Sequence, residues 1–181
     1  MKIFERVTGN PGQMRRIVSL DPILCKVARQ RAVDMERRNY FNHVNPSGQG
    51  PNFLVRRAGY FLPSYYDGSK SGNNIESIAM TTGTAREAFA LWINSSPHKT
   101  HLLGVDSFYR EQTSIGIGVY QSKSFPHYKY YVFISAPANA AKRPPLVILQ
   151  DSKGKIVART RPSVAAMPNP LLTKSIDWAE S

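Results

Sequence analysis

From Asp21 onward the apolar residues Leu24, Val27, Ala28, Ala32 and Met35 recur at helical spacing, which predicts a first strong helix in "LDPILCKVARQRAVDMERRNY". Asp21 suits the N-cap and Pro22 the first helical position, where a missing N–H costs nothing. Asp34 and Arg38 are spaced as an outward i,i+4 ion pair. A short helix is predicted in "PNFLVRRAGY", with Pro51 near its start and Gly59 at its C-terminal cap. In "TAREAFALWINS", Ala85, Ala88, Phe89 and Trp92 share one face, which makes Trp92 a core residue, and Thr84 with Glu87 forms a capping box. This helix should stop near Ser96, because Pro97 disfavours helical geometry in the residue before it.

The period then changes. "SIGIGVY" alternates Ile115, Ile117 and Val119, and "YKYYVFISA" is aromatic and β-branched, so the two read as strands joined by "QSKSFPH". Gly116 and Gly118 leave one face of the first strand bare; a neighbour must pack closely there, or the strand must bend. Residues 1–19 read as an irregular lead-in with the turn signal "GNPG". After Pro137, "ANAAKRPP" reads as a linker, "PLVILQDSKGKIVART" as a second hairpin turning at Asp151–Gly154, and the remainder as an extended or partly docked tail. Helices first and a β-hairpin after them define an α+β domain with helices packed on a small antiparallel sheet.

Composition narrows this little. A chain of 181 residues suffices for one well-buried domain. No run of about 18 apolar residues offers a membrane span, and the opening "MKIFERVTGN" has no apolar core and is not read as a signal peptide. The single cysteine, Cys25, excludes an internal disulfide framework and is expected to be a small buried hydrophobe. With 24 Lys and Arg against 12 Asp and Glu, the formal net charge of +12 draws the protein toward polyanions. Aromatic residues do not interleave with the cations as in a nucleic-acid module, so specific nucleic-acid binding is not expected.

The candidate chemistry lies around "SGNNIESIAM" (71–80), between His43 in "YFNHVNPSG" and His98 in "WINSSPHKTHLLG". Either histidine alone reads as structural, His127 as exposed, and His101, one helical step past His98, as a second cleft lining or a solvent-facing ring. Ser95 and Ser96 beside His98 raise a hydrolase reading, but the nucleophile elbow Gly-x-Ser-x-Gly is absent.

Five segments in order, "VARQRAVDMERRNYFNHVNPSG", "FLVRRAGY", "GNNI", "AREAFALWINSSPHKTHLLG" and "SIGIGVY", together resemble the CAP superfamily of cysteine-rich secretory proteins, antigen 5 and pathogenesis-related proteins. The likeness is closer to its cysteine-poor bacterial branch of SCP-like extracellular proteins. It covers roughly residues 14–137, leaving 1–13 as a lead-in and 138–181 as a C-terminal extension of hairpin and tail. The resemblance implies a three-layer α–β–α sandwich, a secreted or cell-surface location, and a shallow cleft lined by two histidines and acidic residues. It implies no single reaction and no required cofactor, with zinc or another divalent ion admitted in the cleft.

Matched residue by residue, His43 and His98 take the places of the two cleft histidines. Asn73 stands where the family pattern has glutamate, Asn74 and Ile75 keep their places, and His101 replaces a more usual asparagine. Asn73 can accept a hydrogen bond but carries no charge. Glu76 is the only nearby carboxylate. The family places a β-like segment here, and residues three apart in a strand point to opposite faces, so Glu76 is expected to point away from the cleft. The cleft set is therefore His43, Asn73, Asn74, Ser95, His98 and His101, with His43 and His98 as the metal candidates.

The expected function is a non-catalytic, exported domain binding a small ligand, lipid, wall polymer or protein through that cleft, with the loop "YFLPSYYDG" as added contact surface. A metal-dependent or serine hydrolase using His43, His98 and Glu76 is the alternative. It would require Glu76 within about 3.2 Å of a histidine. A basic adhesion module for anionic wall polymer or membrane surface is the third reading.

Overall fold

Gly116 and Gly118 lie directly under the backbone of a helix. A Cβ on Gly116 would stand 2.2 Å from the carbonyl carbon of Leu24, and one on Gly118 would stand 2.2 Å from that of Ala28. Of the two outcomes the bare strand face allowed, close packing by a neighbour is therefore the one observed. The structure is a computed structural model that describes residues 2–139, 147–150 and 156–160. The chain divides into two units, Met1–Asn139 and Ala140–Ser181.

In the first unit, α1 (Ile3–Thr8), β1 (Ser19–Leu20), α2 (Pro22–Arg37) and α3 (Pro51–Arg57) precede β2 (Glu76–Thr81). There follow α4 (Ala85–Ile93), α5 (Ser96–Leu103), α6 (Ser107–Arg110), β3 (Ser114–Gln121) and β4 (Lys129–Ala136). The sheet order is β1-β3-β4-β2. β4 pairs antiparallel with both β3 and β2, and the two residues of β1 add to β3 in parallel, so the sheet is mixed rather than wholly antiparallel.

Alternation along β4 builds two cores. Tyr130, Val132, Ile134 and Ala136 join Leu24, Val27, Ala28, Ala32 and Met35 of α2 and Val55 of α3. Tyr131 and Phe133 face the other way, against Ala88 and Trp92 of α4, Leu102 of α5, and Ile3 and Val7 of α1. The result is a three-layer α–β–α sandwich of the α+β class, with Trp92 in its core as expected.

Local signals explain most boundaries. The Asp21 carboxylate accepts from the N–H groups of Ile23 and Leu24, and Glu87 accepts from the Thr84 N–H at 3.1 Å. Asp34 and Arg38 stand 3.7 Å apart, and Gly59 takes a φ of 87° just past α3. Three expectations are corrected. The lead-in is not irregular throughout, because α1 docks Ile3 and Val7 into the second core. Pro97 does more than end α4, since it opens α5 from the first turn, where its missing N–H is harmless. Cys25 is only half-buried.

In the second unit β5 (Val147–Gln150) pairs antiparallel with β6 (Ile156–Thr160). The turn expected at Asp151–Gly154 and the tail beyond residue 160 lie outside the described residues.

Candidate functional site

The apolar stripe of α2 is interrupted at one place. Arg31 falls among Val27, Ala28, Ala32 and Met35 and is only 2% exposed. A buried guanidinium needs an acidic partner, and Glu76 supplies it. Glu76 Oε2 accepts from Arg31 Nε at 2.9 Å and Oε1 from Arg31 Nη2 at 3.1 Å. Arg31 also donates to the carbonyls of Asn42 and His43 at 2.8 and 2.9 Å and to the Tyr40 hydroxyl, which in turn donates to Asp34. One buried cation thus ties α2, the loop carrying His43, and the first residue of β2.

Glu76 does not point away. Its Oε1 lies 3.0 Å from His43 Nδ1, which corrects the expectation from an extended segment. The physical reason is Asn73. Its side-chain oxygen accepts from the N–H groups of both Ile75 and Glu76, at 3.2 and 2.9 Å. This side-chain turn curls the backbone before β2 begins, so the strand rule does not apply across residues 73–76. Asn73 acts as the turn that aims Glu76.

Burial opposes ionisation of Glu76, but hydrogen bonds from His43 and the Arg31 charge outweigh it and hold the carboxyl below its ordinary range. An ionised carboxylate only accepts, so His43 Nδ1 carries the hydrogen, and the neutral form of the ring would leave Nε2 as an acceptor. His43 is about one-third exposed at its side chain, so that atom has access to solvent.

His98 lies in the first turn of α5 and is half-buried. Burial pushes its imidazole down, and the charge of a protonated His43 would push it further. His101, three residues on, is fully inside: Nδ1 meets the Ser77 hydroxyl and Nε2 the Ser135 hydroxyl, both at 2.8 Å. Ser135 then donates to Gln112. Arg15 fixes this end of α5 by donating to the carbonyls of His101 and Leu102 at 2.6 Å; burial lowers its pKa to about 10.

The sequence-expected residues therefore separate. His43 and Glu76 are in contact, His98 meets neither through a hydrogen bond among the described residues, and His101 is held in the core by Ser77 and Ser135 rather than lining a cleft or facing solvent. Asn74 is bound to Asn52 and to the Asp67 N–H, between α3 and the preceding loop. Ser95 is the N-cap of α5 without a side-chain capping bond, and no hydrogen bond joins a serine to His43 or His98 among the described residues. His127 is exposed. Of the tyrosine-rich loop, Tyr60 and Tyr66 are buried whereas Phe61 and Tyr65 are 52% and 61% exposed, so only the latter two offer contact surface. Arg31, Ser77 and Ser135 were missed. For Arg31 a signal existed: a charge at a position that the helical period assigns to the core.

A zinc ion prefers three protein ligands with water, or four. Both Glu76 oxygens are engaged by Arg31 and His43, and the described residues hold no group of three or more metal-type side chains. Two imidazoles remain, which does not fit a closed zinc site.

The fold belongs to a known class: residues 12–135 match the model of the cysteine-rich secretory protein family, CAP, and the chain is a member of it. Over 107 residues it is 31% identical to the uncharacterized protein YkwD of Bacillus subtilis (strain 168), an alignment covering 59% of this chain and 36% of that protein. The chain therefore spans about a third of the length of that relative. Among solved structures it is similar to an outer surface protein from Borrelia burgdorferi, with a TM-score of 0.53 and 19% identity over 75% of this chain and 88% of that one. An extracellular SCP-domain protein from Bacillus anthracis str. Ames aligns at a TM-score of 0.46 and 22% identity, over 71% and 36%. At such identities the structural likeness speaks to fold. No helix among the described residues is long and apolar enough to cross a membrane.

Proposed function

We propose that this protein is an exported CAP domain that binds a polar, hydroxyl-bearing ligand in the cleft between His43 and His98 without transforming it. The contact between Glu76 Oε1 and His43 Nδ1, 3.0 Å long, carries the reading. It orients His43 so that Nε2 accepts a hydrogen bond from a ligand, while neutral His98 stands nearby as a second polar group. Binding is favoured over catalysis because neither ring meets a serine hydroxyl among the described residues. The names of the two structural relatives, an outer surface protein and an extracellular protein, support an extracellular setting.

Imidazole nitrogen NMR tests this, with chitotriose as a hydroxyl-rich probe. Saturable shifts of His43 Nε2, lost in Glu76→Gln as the ring is freed, are expected. Unmoved His43 and His98 signals would refute the reading.

Hydrolysis, with His43 as general base, is a second reading that the same contact favours, because a carboxylate-oriented imidazole is a competent base. Hydrolysis of p-nitrophenyl acetate that disappears in both His43→Ala and Glu76→Gln would install it in place of the first.

A further inference from the structure

α2, α3 and Asn45 and Gln49 of the loop between them line an open hollow of about 510 Å³. That size suits a small molecule. Lys26, Arg38 and Arg57 line it, contributed by the second turn of α2, its C-cap, and the last turn of α3. The single carboxylate in the lining is Asp34, which accepts from the Tyr40 hydroxyl at 2.6 Å and pairs with Arg38 at 3.7 Å. The charge of Arg31, also in the wall, is met by Glu76. Lys26 and Arg57 carry no hydrogen bond or ion pair from their side chains among the described residues, and the Gln30 amide beside them is equally unengaged. An adjoining hollow shares Gln30 and Asp34 and adds Arg29 and Arg37.

Like charges gathered around a concavity raise its positive potential and favour an anion inside it. Arginine forks and a lysine ammonium are the groups that recognise phosphate and carboxylate. We infer that this cavity is a binding site for a small polyanion, a molecule carrying at least two phosphate or carboxylate groups that bridge Lys26, Arg38 and Arg57. Gln30 and the Gln49 side-chain N–H groups, its oxygen being taken by Asn45, add neutral donors. The hollow shares Arg31 with the His43 site, but the inference does not rest on the proposed function.

The test is an amide NMR titration of the full chain with pyrophosphate and, separately, citrate, at roughly 0.15 M salt to suppress diffuse attraction. Saturable shifts at Gln30, Gln49 and Arg57 are expected with at least one probe; which probe binds tells phosphate from carboxylate. Lys26→Ala/Arg57→Ala should weaken binding by about tenfold or more, since each charge-assisted bond is worth over 1 kcal/mol. Arg86→Ala/Lys123→Ala removes two exposed cations elsewhere and should leave binding unchanged. The substituted positions are all charged surface sites, so an unaltered spectrum outside the cavity establishes the fold. Shifts that rise linearly with both probes, or equal weakening by the two double variants, would overturn the inference and leave only a diffuse response to net charge.

Discussion

Glu76 accepts from Arg31 through both carboxylate oxygens and from His43 Nδ1 through one of them. The side chain that neutralises the core cation is therefore the one that orients the cleft histidine. Stability and site geometry rest on the same atoms. A turn made by the Asn73 side chain presents Glu76 to both Arg31 and His43.

Removing the Glu76 charge should unfold the protein more easily. Glu76→Gln leaves the Arg31 guanidinium buried without a counter-charge, a defect that costs about 3–5 kcal/mol. Urea denaturation measures it. The double variant Arg31→Met/Glu76→Met, which removes both charges, should recover much of that loss. A single variant as stable as the parent would mean that water reaches Arg31.

Acid should destabilise the protein through two buried groups, the first acting from about pH 6.5 downward and the second joining below pH 4.5. Burial holds His101 well below its ordinary 6.5, reinforced by the charges of Arg15, His98 and His43, so the folded state refuses a proton that the unfolded chain accepts. Stability therefore falls as pH drops below 6.5, and His98 adds in the same direction. Glu76 acts lower down. Its folded value lies beneath the ordinary 4.5, so its contribution is complete above 4.5 and is lost as pH falls through the folded value. Denaturation midpoints against pH should show both slopes, and His101→Gln should flatten the upper one alone. An upper slope unchanged in that variant would assign it to other histidines.

Much of this architecture was legible. Caps at Asp21 and Thr84, the apolar stripe of α2 and the alternation in β3 and β4 are local signals that the tertiary structure follows. What escaped depended on long-range packing. α1 has two buried apolar residues in six and is too short to persist alone; it exists because Ile3 and Val7 meet the core around Trp92. α5 escaped because Pro97 was weighed as an ending alone. In the site, resemblance alone singled out the two histidines, and the orientation of Glu76 hung on the Asn73 turn, which competes with the strand geometry assumed there.

Filling the glycine face should be costly. A methyl group at Gly116 or Gly118 would overlap backbone atoms of α2, which cannot rotate aside as a side chain would. Gly116→Ala and Gly118→Ala should each lose about 3 kcal/mol or more, at the upper end of overpacking effects. Because α2 carries Arg31, the His43 imidazole signals should move as well. Normal stability in both would require α2 to lift from β3 without penalty.

Zinc should bind weakly. On the proposed reading a metal would meet His43 Nε2 and the His98 ring, while Glu76 is withheld by Arg31, so it would have to complete its shell mostly with water. Displacing Glu76 toward the metal would strand the guanidinium, at a cost comparable to that of Glu76→Gln. Calorimetric titration of metal-stripped protein should thus show no tight one-to-one binding, and any weak heat should vanish in both His43→Ala and His98→Ala. Tight stoichiometric binding lost in those two variants and in Glu76→Ala would contradict this. It would mean that the carboxylate leaves Arg31 for the metal, and it would return metal-dependent hydrolysis to first place.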